Sequence, residues 1–171
     1  MTKLFAISIG GEHPQANIEL HDMRFVVAAS ILETHDEVRR QWWGTPDSLH
    51  VDCWAEIDHA DGYDVTLRLE PFAGEEKLFY VNLGGYDASE FLEKHRNVFV
   101  VARTLADAKV RALAAGRGWK DLHRDDLYEA EQAYCLDRAV GEQRLHIHLT
   151  PSAPARALAF TCKYTPLQLG A

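Results

Sequence analysis

The sequence is poor in cysteine, in long apolar runs and in positive charge, and each shortage excludes a class of protein. Its three cysteines, Cys53, Cys135 and Cys162, show no C-x-x-C spacing. We therefore expect neither a disulfide framework nor a cysteine-ligated zinc site, but free thiols in a reducing compartment. No run approaches the roughly 18 apolar residues that cross a bilayer. The net charge of −8 makes nucleic acid and anionic membranes poor partners.

Signals for export and for nucleotide or ester chemistry are also missing. The opening stretch MTKLFAISIGGEHP has a short apolar run without a small-residue cleavage site, which predicts a strand of a cytoplasmic protein. Neither G-K-[ST] nor G-x-S-x-G occurs, which argues against a phosphate-binding loop and a serine hydrolase. The glycine pairs that end two apolar runs, Gly10-Gly11 and Gly84-Gly85, instead predict tight turns or bulges with positive φ.

What the sequence does contain is an internal repeat. Residues 4–28, LFAISIGGEHPQANIELHDMRFVVA, align without a gap with residues 78–102, LFYVNLGGYDASEFLEKHRNVFVVA, at an offset of 74. Self-similarity of this kind indicates duplicated structure. A weaker match at an offset of 73 relates Leu49, His50, Asp52 and Glu56 to Leu122, His123, Asp125 and Glu129.

The hydrophobic period changes along each half in the same order. Two apolar strands come first, and S-x-x-E at residues 30–33 and T-x-x-D at residues 104–107 then form capping boxes that predict helices. After each helix the period returns to two, as in residues 51–57. We predict an α+β fold with largely antiparallel sheets, built from two strand–strand–helix–strand–strand units related by a pseudo-twofold axis.

The predicted units divide the chain into two halves and a tail. We place the first unit at residues 1–74 and the second at residues 75–151. The tail, residues 152–171, alternates at Leu158, Phe160, Cys162 and Tyr164, which predicts an additional edge strand. We expect the two units to pack as one globular body.

The repeated residues resemble a known family. The pattern L-F-x-x-x-x-G-G … E-x-H-D-x-x-F-V-V-A … W … L-H-x-D-x-x-x-E is similar to the bacterial domain of unknown function numbered 1543, which occurs as one or two copies per chain. The likeness covers roughly residues 4–58 and 78–131, and the second copy departs from it by placing Arg96 where the first has Asp22. The resemblance implies a bacterial cytosolic protein with two tandem copies, and it brings no catalytic residue.

The first candidate site consists of the two repeated Glu-x-His pairs, Glu19 with His21 and Glu93 with His95. In an extended segment, residues i and i+2 point to the same side, so each carboxylate can orient an imidazole. If the two loops approach each other where the units meet, these four side chains can contact a ligand there. The competing interpretation is that each histidine only caps its own loop.

A second repeated pair, His50 with Asp52 and His123 with Asp125, leads to an alternative. Imidazoles and carboxylates are the ligands that Zn²⁺, Mn²⁺ or Fe²⁺ takes in proteins. A metal site of this kind would use some of six residues, namely His21, His50, Asp52, His95, His123 and Asp125.

Two hypotheses about function follow. The first is a binding or interaction module without a cofactor, whose partner is a small molecule or a protein and which can form a homodimer. The alternative is a metal-dependent, hydrolase-like enzyme that uses a divalent transition metal. They differ in whether purified protein retains a metal after dialysis.

Overall fold

Strands dominate the computed structural model, which describes residues 2–85, 89–116, 130–152 and 156–167. In these ranges the strands are β1 Lys3–Gly11, β2 Leu20–Ala28, β3 His50–Glu56, β4 His59–Ala60, β5 Tyr63–Arg68, β6 Lys77–Gly85, β7 Lys94–Ala102, β8 Ala130–Cys135, β9 His146–Pro151 and β10 Thr161–Pro166. The helices are α1 His35–Gln41, α2 Leu105–Gly116 and α3 Asp137–Gly141, with short 3₁₀ turns at Leu32–Thr34 and Pro46–Ser48. Within the same ranges no helix combines the length and apolar character needed to span a bilayer.

The strands form three sheets. The first sheet has the order β10-β3-β1-β2, the second β7-β6-β8 and the third β4-β5-β9. Every pairing among the described strands is antiparallel. Strand β10 lies at one edge of the first sheet, and β2 lies at the other edge.

The β1–β2 and β6–β7 hairpins have the same register. Lys3 lies opposite Ala28 and Lys77 opposite Ala102, and the offset of 74 holds along both hairpins. The third strands do not follow it, because Phe5 pairs with Glu56 whereas Phe79 pairs with Cys135. The structural offset there is 135 − 56 = 79, so the weaker alignment at 73 is wrong.

The prediction of an α+β fold made of two strand–strand–helix–strand–strand units related by a pseudo-twofold axis is also wrong. The last strands of the two supposed units, β5 and β9, leave their own halves and pair with each other, and the protein is mostly antiparallel sheet with few, short helices. The physical reason is burial. Val65 on β5 and Ile147 and Leu149 on β9 fill the core between the halves, which neither half could complete alone.

Three hydrophobic clusters form the core: one lies between the two halves, and one lies on the outer face of each of the first two sheets. Successive residues of β1 point to opposite faces, so that Leu4 and Ala6 enter the core between the halves while Phe5, Ile7 and Ile9 point to the other face. That other face packs against Val38 of α1. On the second sheet, the corresponding outer face packs against α2 in a separate cluster. Both first strands are therefore buried on two sides, which accounts for their continuous apolar character.

The cysteines differ from the prediction. Cys53 on β3 and Cys162 on β10 lie opposite each other and form a disulfide bond, so the expectation of free thiols is wrong for this pair. Cys135 is free, and burial raises the pKa of its thiol. Two cysteines 109 residues apart were not recognisable as partners because their contact depends on β10 joining the first sheet. Disulfides persist mainly in oxidising compartments, so this bond does not favour the reducing compartment that we expected.

Asp61 ties the third sheet to the second half. The β4–β5 turn has positive φ at Asp61 and Gly62, 49° and 81°, as a tight hairpin turn requires. The Asp61 carboxylate accepts hydrogen bonds from the backbone N–H of Val101, at 2.8 Å, and from Arg111, also at 2.8 Å. Val101 is fully buried, so its amide has no water to replace the carboxylate.

We expect Asp61→Ala to lower the free energy of unfolding by about 1–3 kcal/mol, the cost of leaving a buried amide without an acceptor. Asp61→Asn should lose less, because asparagine keeps an acceptor oxygen and tolerates positive φ. Urea denaturation measures both. Asp64→Ala, which removes only an exposed pair with Arg156, is the control and should change stability by less than about 0.5 kcal/mol. Equal losses for Asp61→Ala and Asp64→Ala would contradict the assignment.

Candidate metal centre

Two histidines flank a glycine at one end of the first sheet. Gly10 on β1 lies directly opposite His21 on β2 and, on its other side, directly opposite His50 on β3. Side chains that lie directly opposite across antiparallel strands point to the same face. The register alone therefore brings the two imidazoles together over Gly10, although they are 29 positions apart in the sequence (50 − 21).

Two carboxylates meet these imidazoles. His50 Nε2 lies 3.1 Å from Glu19 Oε1 and 3.3 Å from Asp52 Oδ1. His21 Nε2 lies 3.5 Å from Glu19 Oε2 and 3.7 Å from Asp52 Oδ2. We call Glu19, His21, His50 and Asp52 the histidine–carboxylate cluster. One ligand atom each from the first three lies within 4.8 Å of the other two, which is close enough for one ion to contact all three.

The tautomer of His50 makes this arrangement unusual. Its Nδ1 lies 3.0 Å from the backbone carbonyl of Ser48, which can only accept a hydrogen bond, so Nδ1 carries a proton. In the neutral ring, Nε2 then has a lone pair that faces two carboxylates. A cation between them would contact this lone pair and both carboxylates at once. A backbone carbonyl that orients the far nitrogen of a histidine is the usual outer partner of a metal ligand.

One side of the cluster is closed and the other is open. The His50 side chain is 3% exposed, whereas those of His21 and Glu19 are 56% and 46% exposed. Asp52 Oδ2 is buried and has no hydrogen-bond partner among the described residues. A buried carboxylate oxygen without a donor is costly, and a cation would remove that cost.

A β-bulge positions Asp52. The register of β1 with β3 shifts between Ser8 and Ile9, so that Ser8 pairs with Cys53 and Ile9 with Val51. Asp52 is thus the extra residue on β3, without a partner on β1. Bulges redirect side chains and occur often beside functional sites. Strand β6 shows the same shift between Asn82 and Leu83.

Gly10 provides space rather than an unusual backbone. A Cβ atom at this position would lie 2.6 Å from His50 Nε2 and 3.1 Å from His21 Cδ2. Among the glycines whose backbone is described, positive φ occurs at Gly62, so the prediction of positive φ at both glycine pairs is wrong. The physical reason for glycine here is the close approach of two rings.

Strand β10 covers the closed side. The ring of Tyr164 packs on the imidazole of His50, with 4.4 Å between ring centroids. The next residues hold the strand in place, because the Leu167 amide donates to the Leu49 carbonyl at 2.8 Å and the Leu167 side chain is buried. The sequence offered no signal that the C-terminal strand contributes to this site.

The equivalent residues of the second half form a different environment. His95 Nε2 lies 3.8 Å from Glu93 Oε2, so this Glu-x-His pair also meets. Its Nδ1 lies 3.0 Å from the side-chain oxygen of Asn82, and Asn82 replaces Ser8 of the first half. His123 and Asp125, the other metal ligands predicted there, lie outside the described residues.

A cavity of about 790 Å³ is lined by residues of both halves. His21 lies on its wall, and so does His95, which places one histidine of each Glu-x-His pair beside the same space. The lining also includes three aromatic side chains and two asparagines, namely Phe25, Tyr80, Tyr134, Asn82 and Asn97.

Comparisons with known proteins support the resemblance for the first half and the fold for the whole chain. Residues 16–67, which contain the complete histidine–carboxylate cluster, match the family model described as Domain of Unknown Function (DUF1543). A solved structure, "Crystal structure of a protein Il1583 from Idiomarina loihiensis", is similar with a TM-score of 0.75 and 29% identity, covering 99% of this chain and 100% of that one. No curated protein matches significantly.

Proposed function

We propose that the chain is a binding module with two adjacent sites: the histidine–carboxylate cluster holds one divalent transition-metal ion, and the neighbouring cavity holds a small ligand. The observation that carries the proposal is the geometry of His50. Its Nδ1–H donates to the Ser48 carbonyl, and its Nε2 faces two carboxylate oxygens at 3.1 and 3.3 Å. A cation at this point would satisfy all three groups at once.

The ligand types favour a borderline metal. Two imidazole nitrogens and two carboxylates suit Zn²⁺, Mn²⁺ or Fe²⁺. Soft ions such as Cu⁺ are disfavoured, because the four side chains of the cluster offer only nitrogen and oxygen atoms. The proposed ion would also neutralise the Asp52 oxygen that is buried without a donor.

The cavity supports the ligand half of the proposal. The two Glu-x-His pairs, first expected to contact a ligand where the halves meet, contribute His21 and His95 to its wall. His21 belongs both to this wall and to the histidine–carboxylate cluster, so a bound ligand could reach the metal. We also propose that the second half is a second copy of the same domain, because its hairpin keeps the register of the first.

A metal-dependent hydrolase is the second candidate. It is favoured by the exposure of His21 and Glu19, since a catalytic metal needs a side that substrate can reach. Hydrolysis of activated esters and phosphoesters by metal-loaded protein, and its loss in the His50→Ala variant, would separate this candidate from a pure binding module.

We expect dialysed wild-type protein to bind about one Zn²⁺ or Mn²⁺ ion per chain, and His50→Ala to bind it at least about 100-fold more weakly. Elemental analysis gives the stoichiometry, and isothermal titration gives the affinity. His146→Ala is the matched control, because His146 lies on β9 outside the cluster and is exposed.

Two results would contradict the metal centre. One is that wild-type protein binds none of the tested metal ions. The other is equal affinity of the wild type and His50→Ala. In either case Glu19 and Asp52 would only hold the His50 side chain in place, and Asp52→Asn should then lower stability without changing metal content.

A further inference from the structure

The cavity between the halves has the size and the surface of a small-molecule site. Its volume of about 790 Å³ falls within the range of about 300–1,000 Å³ typical of ligand pockets. One wall is the edge strand β2, and the facing wall includes residues of β6, β7, β8 and α3. The two halves therefore both contribute to any ligand bound there.

Aromatic rings line the apolar part of the cavity. Phe25 of β2 stacks on Tyr134 of β8, with 5.9 Å between centroids and 8° between ring planes. Tyr80 lies 5.0 Å from Phe25. An aromatic surface of this kind favours a flat apolar group, which can stack or make edge contacts with these rings.

The polar part of the cavity presents hydrogen-bond donors. Burial raises the pKa of Tyr80 to about 12, so its hydroxyl stays protonated and donates to Asn97 Oδ1 at 2.8 Å. Asn82 Nδ2 donates to the same oxygen at 2.7 Å. The amide nitrogen of Asn97 has no acceptor among the described residues and can donate to an anionic or carbonyl oxygen of a ligand.

Most charged side chains around the cavity form ion pairs with neighbouring side chains. Arg24 is bound to Asp22 at 2.6 Å, and Glu37 is paired with Arg40. Two charged side chains that line the cavity remain without an ion pair in the part of the chain that the structure describes, and these are Arg138 of α3 and Glu142 at its end. The cavity therefore offers a ligand one cation and one anion.

We propose that the cavity binds a small aromatic zwitterion of the α-amino acid class. Its ring contacts Phe25 and Tyr134, its carboxylate is bound by Arg138, and its ammonium group is bound by Glu142. An unpaired guanidinium binds a carboxylate through two parallel hydrogen bonds. This inference rests on the ligand cavity of the proposed function and does not require the metal, since none of the groups that recognise the ligand belongs to the histidine–carboxylate cluster.

Four probes test the proposal by removing one group at a time. L-phenylalanine carries all three groups, L-alanine lacks the ring, 3-phenylpropionate lacks the ammonium and phenethylamine lacks the carboxylate. We expect L-alanine to bind about 30-fold more weakly than L-phenylalanine, from the lost apolar contact. Each singly charged probe should bind roughly 3- to 10-fold more weakly, because these ion pairs are partly screened. Ligand-observed NMR and isothermal titration measure the affinities.

Two variants test which side chain binds which charged group of the ligand. In Arg138→Gln, L-phenylalanine should bind no better than phenethylamine, and in Glu142→Gln no better than 3-phenylpropionate. Both residues are exposed, so these changes leave the core intact. The proposal is overturned if L-phenylalanine does not bind, if L-alanine binds as well, or if neither variant changes the order of the probes.

Metal-free wild type and the His50→Ala variant distinguish the two proposals. If both proteins bind L-phenylalanine and neither binds a metal, the metal centre is contradicted and the proposed amino-acid ligand is supported. If the wild type binds a metal but shows no preference among the four probes, the amino-acid ligand is contradicted and the metal centre is supported.

Discussion

Replacement of Cys162 by serine is expected to lower the free energy of unfolding by about 2–5 kcal/mol, because the Cys53–Cys162 bond closes a long loop and restricts the unfolded chain. The two cysteines are 109 residues apart. The bond also joins β10 to β3, and β10 carries Tyr164, which packs on His50. We therefore expect the loss of the bond to expose the closed side of the histidine–carboxylate cluster as well.

Thermal or urea denaturation with and without a reducing agent measures this effect. The reductant should bring the wild type down to the stability of Cys162→Ser and leave the variant itself unchanged. Cys135→Ser is the control for loss of a thiol, since Cys135 is free and half-buried. A wild-type protein that is insensitive to reductant, or a Cys162→Ser variant of unchanged stability, would show that β10 is held by its other contacts alone.

Gly10→Ala is expected to displace the His50 imidazole from the histidine–carboxylate cluster. The new Cβ would lie 2.6 Å from His50 Nε2, and the His50 side chain is too buried to move aside freely. We expect a loss of about 1–3 kcal/mol in stability from overpacking, together with a drop in metal affinity of about 100-fold, since a displaced imidazole no longer reaches the ion.

Gly141→Ala is the matched control for this substitution. A Cβ atom at Gly141 would meet no atom within 4 Å, and alanine in a helix is better than glycine by roughly 0.5–1 kcal/mol. The control should therefore keep or raise stability and bind metal normally. If Gly10→Ala behaves like Gly141→Ala in both measurements, the close approach of the two rings to Gly10 has no energetic consequence.

The repeat predicted much of the local structure. An offset of 74 in sequence became an identical register in two hairpins, because strands with the same alternation bury the same side chains in the same way. The Glu-x-His spacing also had its expected effect, since residues two apart on an extended segment share a side. Glu19 and His21 meet in the structure, and so do Glu93 and His95.

The composition of the candidate site was only partly predictable. His21, His50 and Asp52 belonged to the predicted metal set, whereas Glu19 was expected only as a ligand contact, and all four meet. The bulge that frees Asp52 from pairing left no mark in the sequence pattern. Positive φ was predicted at Gly10, whereas the structure needs glycine there for the close approach of two rings. Glycine serves both purposes, and its position in the sequence does not distinguish them.

The sequence by itself determined the two repeated hairpins, the two-sided burial of their first strands, and which side chains two positions apart act together, since these properties depend on neighbours in the chain. It did not predict β8. Only the tertiary structure decided that β5 pairs with β9, that β10 covers His50 and that Cys53 meets Cys162. A strand's alternation records that one face must be covered but not which distant strand covers it. That choice follows from burying the core between the two halves, and it is what places a histidine of each half at one cavity.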